Sequence, residues 1–166
     1  MLEEHIVSKM WFTGSGTSRT FNQVIDNSQI ELVIGTDSHR KGRKGRVFAT
    51  AICLPGDIKG RRYFWSRRTV SRKDVPNIFT QIYMETLQSI EVAEALCERG
   101  ALIPSDITIH IDCSPEDSKY KSSVAAKTVA NLVKGYGYEA IIKPKEITTT
   151  SNFPWAASGI ADKHAR

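Results

Sequence analysis

The spacing of apolar residues changes along this chain, and the changes mark its elements. Leu32-Val33-Ile34-Gly35-Thr36-Asp37 is a short, almost unbroken run of β-formers, the pattern of a strand buried on both faces. Arg40 to Gly45 reads as a basic turn punctuated by glycine. Val47 to Leu54 reads as a second strand, closed by Pro55-Gly56, and Arg62 to Val70 as a third. The short connections predict an antiparallel meander. The period then becomes helical. Asp74 can cap a helix with Pro76 in its first turn, and Ile78, Phe79, Ile82, Thr86, Ser89, Ile90, Ala93, Leu96 and Cys97 recur at helical spacing before Gly100 ends the run.

Ile107 to Asp112 predicts a fourth strand, Ser123 to Lys134 a helix ended by Gly135, and Glu139 to Lys143 a fifth strand before Pro144. Trp155 to Arg166 has helix-forming composition apart from Gly159. The order β-β-β-α-β-α-β-α predicts an α/β fold. Its five-stranded mixed sheet would combine a three-strand antiparallel meander with parallel strands, with helices on both faces. Residues 1–30 read as an N-terminal extension: Thr20 and Gln23 fit a capping box for a short helix, and Gly14-Ser15-Gly16 reads as a loop.

At 166 residues, with 40% hydrophobic and 25% charged side chains, the chain fits one globular domain. No apolar run approaches the roughly 18 residues of a membrane span, and Met1-Leu2-Glu3-Glu4-His5 lacks the layout of a signal peptide. Cys53, Cys97 and Cys113 form neither a zinc spacing nor a CxxC pair, so reduced thiols in a cytoplasmic protein are expected. Lys and Arg outnumber Asp and Glu by 23 to 18. The excess is concentrated in Arg40, Lys41, Arg43, Lys44 and Arg46, and again in Arg61, Arg62, Arg67, Arg68, Arg72 and Lys73. Each cluster is either a solvated face or a surface that attracts polyanions.

Asp37 ends the first strand and Asp112 the fourth. The fourth strand follows a crossover, so it can lie parallel to the first and beside it, bringing both carboxylates to one sheet edge where α/β folds bind ligands. Adjacent carboxylates repel until a proton or cation neutralises them. Mg²⁺ suits such a pair because it takes one or two carboxylates and keeps waters that phosphate oxygens displace. Each Asp alone also fits a turn or cap after a strand. Asp162 by itself reads as a surface helix acid, and His39 and His164 as exposed histidines; were His164 to reach the site, it could shuttle protons or bind metal. Glu116 and Asp117 are either supporting acids or loop residues. No phosphate loop, dinucleotide fingerprint or serine or cysteine triad is present in the sequence.

Ile34-Gly35-Thr36-Asp37-Ser38-His39, His110-Ile111-Asp112, Ile142-Lys143-Pro144 and Ala156-Ala157-Ser158-Gly159-Ile160-Ala161-Asp162-Lys163-His164 resemble the YkuK-like family of bacterial ribonuclease H-like proteins. The resemblance spans about residues 31–166, with a polar insert from Glu146 to Phe153 as a departure. It implies a ribonuclease H-like domain and places Asp37, Asp112 and Asp162 at metal positions. It also implies a glutamate from the helix after the third strand. Of Glu85, Glu91, Glu94 and Glu98, helical geometry favours Glu85, roughly 60° from Ile82 at the middle of the apolar face, whereas Glu91 and Glu98 point nearly opposite.

The resulting expectation is a nuclease, or a related phosphodiester-processing enzyme, that uses Mg²⁺ or Mn²⁺ held by Asp37, Glu85, Asp112 and Asp162. Its partner would be DNA or RNA, with the backbone gripped by Arg40, Lys41, Arg43, Lys44, Arg46, Arg67 and Arg68. Trp65 or Trp155 could stack on an unpaired base, or pack in the core. The alternative is a non-catalytic nucleic-acid-binding module on the same fold, and a third reading is a partner-binding protein whose acids cap elements. Metal dependence separates the first from the second, and salt-sensitive polynucleotide binding the second from the third.

Overall fold

The computed structural model describes residues 2–43, 45–54, 62–100, 102–113, 123–143 and 156–166. Lys44, Arg61, Glu116, Asp117, the 146–153 insert and Trp155, all singled out in the sequence, lie outside the described residues.

The predicted meander is β3 (Leu32–Lys41), β4 (Gly45–Cys53) and β5 (Tyr63–Val70), paired antiparallel in that order. The inner strand β3 is longer than its apolar run: it continues past Asp37 to Lys41, so the expected Arg40–Gly45 turn contracts to a tight hairpin. Gly42 (φ 59°) and Gly45 (φ 155°) supply left-handed backbone there. At Gly45 a Cβ would stand 2.3 Å from the Val70 carbonyl oxygen, so a side chain is excluded. As predicted, β6 (Ile107–Ile111) pairs parallel to β3, with Ile34 opposite Ile109 and Gly35 opposite His110. Beside β6 lies β7 (Glu139–Ile142), also parallel.

The sheet has seven strands, not five. Its order is β2-β1-β5-β4-β3-β6-β7, because β1 (Trp11–Thr13) and β2 (Ser18–Arg19) form a hairpin on the outer edge of β5. Three residues cannot display a period of two, so this hairpin left no alternating signal. Its anchor is packing: Trp11 is fully buried and Phe12 stacks on Trp65. Ahead of it is α1 (Leu2–Val7), and behind it α2 (Phe21–Asn27), which carries the predicted reciprocal cap between Thr20 and Gln23.

The long helix α3 (Ile78–Arg99) starts later than expected. Asp74 closes a separate 3₁₀ turn, Arg72–Asp74, and the helix cap is Asn77, whose side chain accepts from Thr80 N–H at 2.8 Å. Pro76 accounts for the shift, since proline disfavours helical backbone at Val75 before it. Against one face of the sheet, α3 and α4 (Ser123–Gly135) enclose the main core, including Ile34, Ile52, Phe64, Ile82, Leu96, Ile109 and Val129. The opposite face carries a π-helical turn, Ala156–Ala161, running into α5 (Asp162–Ala165), with Ile160 and Ala161 on Val33, Ala51, Cys53 and Tyr63.

A buried polar ladder fixes α3 against β3. Thr36 Oγ1 bonds to Ser89 Oγ at 2.8 Å and to Thr50 Oγ1 at 2.9 Å, and Gln88 Nε2 donates to Thr50 Oγ1 at 2.6 Å. One step along, Ser38 Oγ donates to Glu85 Oε1. Two strand residues advance about 6.6 Å and four helix residues about 6 Å. The antiparallel helix therefore stays in step with the strand, setting Ser89 on Thr36 and Glu85 on Ser38.

Candidate metal centre

Alternation along β3 divides its polar residues between the two faces. Thr36 and Ser38 turn toward α3, while Asp37 and His39 turn toward the face carrying α5. Extending the β3–β6 register two residues past Gly35–His110 brings Asp112 level with Asp37. From α5, Asp162 bonds through Oδ1 to His39 Nε2 and accepts Arg166 Nε on Oδ2 at 3.0 Å. Asp37, His39 and Asp162 each offer one donor atom, and these atoms lie within 4.8 Å of one another. Two hard carboxylate oxygens and an imidazole nitrogen at that spacing can hold a divalent cation.

The charges around this cluster are unbalanced. Burial and then the neighbouring Asp112 charge push Asp37 up to about 7; Asp162 adds to the effect, while the Ser38 N–H on Oδ1 and His39 oppose it. Glu85 lies behind the cluster on the α3 face, close enough to feel the Asp37 charge. Burial, then Asp37, raises it to about 8, despite hydrogen bonds from Ser38 and, at 2.9 Å, from Gln81 Nε2. Burial also raises Asp162, but the hydrogen bonds from His39 and Arg166 prevail and hold it below the usual carboxylate range. Asp112 has Lys143 Nζ at 3.4 Å.

Of the four acids picked from the sequence, two fall in the donor cluster and two stand beside it. Asp37 and Asp162 share a donor cluster, Asp112 stands in register beside them, and Glu85 reaches Ser38 from behind. Of the other α3 glutamates, Glu98 is exposed, as its helical position predicts. Glu91 is half-buried, with its acid raised by burial and drawn down by Arg68 and Lys9; Glu94 accepts from the Tyr138 hydroxyl. The apolar stripe of α3 alone does not reveal the neighbours that cover those two. His39 reads from the sequence as exposed because the apolar run stops at Asp37; since β3 runs on to Lys41, His39 lies two residues further along on the same face. Ser38 and Lys143 stand in segments that carry the resemblance, which gives them no role, and Gln81 left no signal.

The basic residues divide. Arg40, Lys41, Arg43 and Arg67 are exposed. Arg46 turns inward, donating to the Ser38 carbonyl at 2.8 Å and to Ser38 Oγ at 3.0 Å, and Arg68 donates to Gln88 Oε1. On the opposite face Trp65 stacks on His164 (centroids 4.0 Å apart, planes at 9°) as well as on Phe12, while His164 Nε2 meets Tyr63 Oη at 2.9 Å. The Trp65 ring is thus engaged within the fold, and His164 fastens α5, with Asp162 at its start, to β5.

A family model described as ribonuclease H-like matches residues 18–166. Neither a curated protein nor a solved structure matches the chain. Among the described residues no helix is long and apolar enough to cross a membrane.

Proposed function

This chain belongs to the ribonuclease H-like family, and we propose that it is a divalent-metal-dependent enzyme that hydrolyses phosphodiester bonds in nucleic acid. The observation that carries this reading is Asp37. It is 8% exposed on the inner strand β3, within 4.8 Å of donors from His39 and Asp162, and burial, with Asp112 beside it, keeps its proton on to about pH 7. Acids crowded in this way favour a cation among them. Asp37, His39 and Asp162 would hold the ion, with Asp112 and Glu85 completing the set. A bound Mg²⁺ or Mn²⁺ would supply a water of lowered pKa and positive charge for the developing phosphoryl oxyanion.

The chain's own side chains do the rest. Ser38 ties Glu85 to the strand, which would let the α3 face add an acid behind Asp37. Arg166 and His39 hold both oxygens of Asp162. Arg40, Lys41 and Arg43 on the exposed hairpin would grip phosphates without reading bases. Lys143 against Asp112 favours the second reading, a binding module in which the lysine substitutes for part of the cationic charge.

The deciding experiment is cleavage of duplex, hybrid and branched substrates by wild type and Asp37→Asn, in Mn²⁺, Mg²⁺ and EDTA. Metal-dependent cleavage lost in the variant is the expected result. Metal-independent binding with no cleavage of any substrate would select the binding module and refute the enzyme.

A further inference from the structure

The hydrogen-bonded ladder between β3 and α3 stops at Ser38–Glu85. After Thr36–Ser89 and Ser38–Glu85 the same steps reach Arg40 and Gln81, which both line a cavity of about 290 Å³. The hairpin contributes Arg40, Gly45 and Arg46, the 3₁₀ turn contributes Arg72, and the start of α3 contributes Asn77 and Gln81. Three elements thus wall the cavity. Two of the wall residues touch the α3 side of the site: Arg46 bonds to Ser38, and Gln81 to Glu85.

Three arginines line this space. Arg40 and Arg46 are cross-strand partners, an arrangement that costs stability because like charges stand directly opposite. Arg46 is held by Ser38. Among the described residues the side chains of Arg40 and Arg72 have neither a hydrogen bond nor an ion pair. The first turn of α3, where backbone N–H groups favour an anion, contains no acid. An anion is the ligand that relieves all of this together. Two uncommitted guanidiniums match the charge of about −2 on a phosphate monoester better than the single charge of a diester. A cavity closed by three elements also suits a chain end better than a backbone running through.

We propose that this cavity is a subsite for the terminal phosphate of a nucleic-acid strand, gripped by Arg40 and Arg72 in front of a fixed Arg46. The proposal rests on the reading of the acidic cluster as a phosphodiester-cleaving site, and adds that the enzyme engages strands at phosphorylated ends.

The test is binding in EDTA, so that its outcome does not depend on metal. Three short single strands with an internal fluorophore carry a 5′-phosphate, a 3′-phosphate or hydroxyls at both ends, and anisotropy reads affinity. One phosphorylated end should bind at least tenfold tighter than the hydroxyl strand. That gain should shrink at least fivefold in Arg40→Gln and in Arg72→Gln, and persist in Lys134→Gln on the exposed side of α4. Millimolar inorganic phosphate should erase the gain in the wild type, a comparison that needs no variant to fold. Equal affinity for all three strands overturns the proposal, as does a gain that survives both arginine variants or inorganic phosphate. A nucleoside monophosphate that binds as tightly as the phosphorylated strand also overturns it, making the cavity a nucleotide site. Loss of the Mn²⁺ response discussed below would refute the metal centre and leave this binding result standing.

Discussion

Replacing Asp37 by Asn removes one negative charge from the cluster and nearly preserves shape, since the amide oxygen can still accept the Ser38 N–H bond made to Oδ1 at 2.7 Å. In the metal-free protein this change should be stabilising. Asp37 holds its proton to about pH 7 in the fold, against 3.8 ordinarily. Below pH 4 folded and unfolded chains are both protonated, and the group contributes nothing. Between pH 4 and 7 the folded chain binds a proton that the unfolded chain has released, so stability falls as pH rises, and above 7 the full cost is present. At 1.36 kcal/mol per pH unit that cost approaches about 4 kcal/mol. Glu85, raised to about 8, and Asp112 share the repulsion, so the single substitution should recover about 2–4 kcal/mol, or on the order of 10 °C in Tm. Thermal denaturation in EDTA at pH 5 and pH 8 measures this directly. The gain should be near its maximum at pH 8 and much smaller at pH 5. Mn²⁺ should stabilise the wild type more at pH 8 than at pH 6, because protons compete with the cation at Asp37 and Glu85, and Asp37→Asn should abolish that response. A variant no more stable than wild type at pH 8 in EDTA would refute the repulsion argument. A wild type indifferent to millimolar Mn²⁺ would refute the metal centre.

Further outcomes are expected elsewhere. Glu85→Gln should abolish metal-dependent cleavage while the protein stays folded, whereas Glu91→Gln should do neither; equal activity of the two would show that Glu85 is not part of the site. His164→Ala removes the Tyr63 hydrogen bond and the Trp65 stack, so it should cost about 1–3 kcal/mol in denaturation. It should also weaken Mn²⁺ stabilisation by loosening α5 under Asp162, and an unaltered Mn²⁺ titration would rule out that coupling. Substituting Ser for Arg40, Lys41, Arg43 and Lys44 together should lower affinity for all sequences alike. The salt dependence should flatten by about one unit per lost phosphate contact, and an unchanged slope would leave the hairpin an ordinary solvated loop.

What was legible in the sequence is what repeats. The apolar runs of β3 and β6 and the helical spacing of α3 contain enough residues to be read; they put Asp37 and Asp112 after their runs and Glu85 beside the apolar face, while the resemblance supplies the expectation of a helical glutamate. The β1–β2 hairpin is too short to have a period, and it holds its place through Trp11, packed on Phe21, and Phe12, whose partner Trp65 lies some fifty residues away on β5. Asp74 and Asn77 are both good caps, and choosing between them required the backbone restriction that Pro76 places on Val75. Asp162 is the hardest case. Its helical surroundings resemble any exposed helix end, and its approach to His39 depends on contacts of Ile160, Ala161 and His164 with three different strands.

The same contacts explain how the fold tolerates a cluster of acids that repel one another. On one side of the sheet the Thr36–Ser89 and Ser38–Glu85 rungs hold α3 in step with β3. On the other, Ile160 and Ala161 seat the last helix in an apolar patch, and His164 clamps it to Tyr63 and Trp65. Relaxing the charges by separation would require breaking buried hydrogen bonds on the first side or exposing apolar surface on the second. Protonation of Asp37 and Glu85 is the cheaper response, and their raised pKa values record it. A cation arriving at this cluster would displace protons rather than reorganise backbone, so its binding should release protons near neutral pH while leaving the packing of α3 and α5 in place.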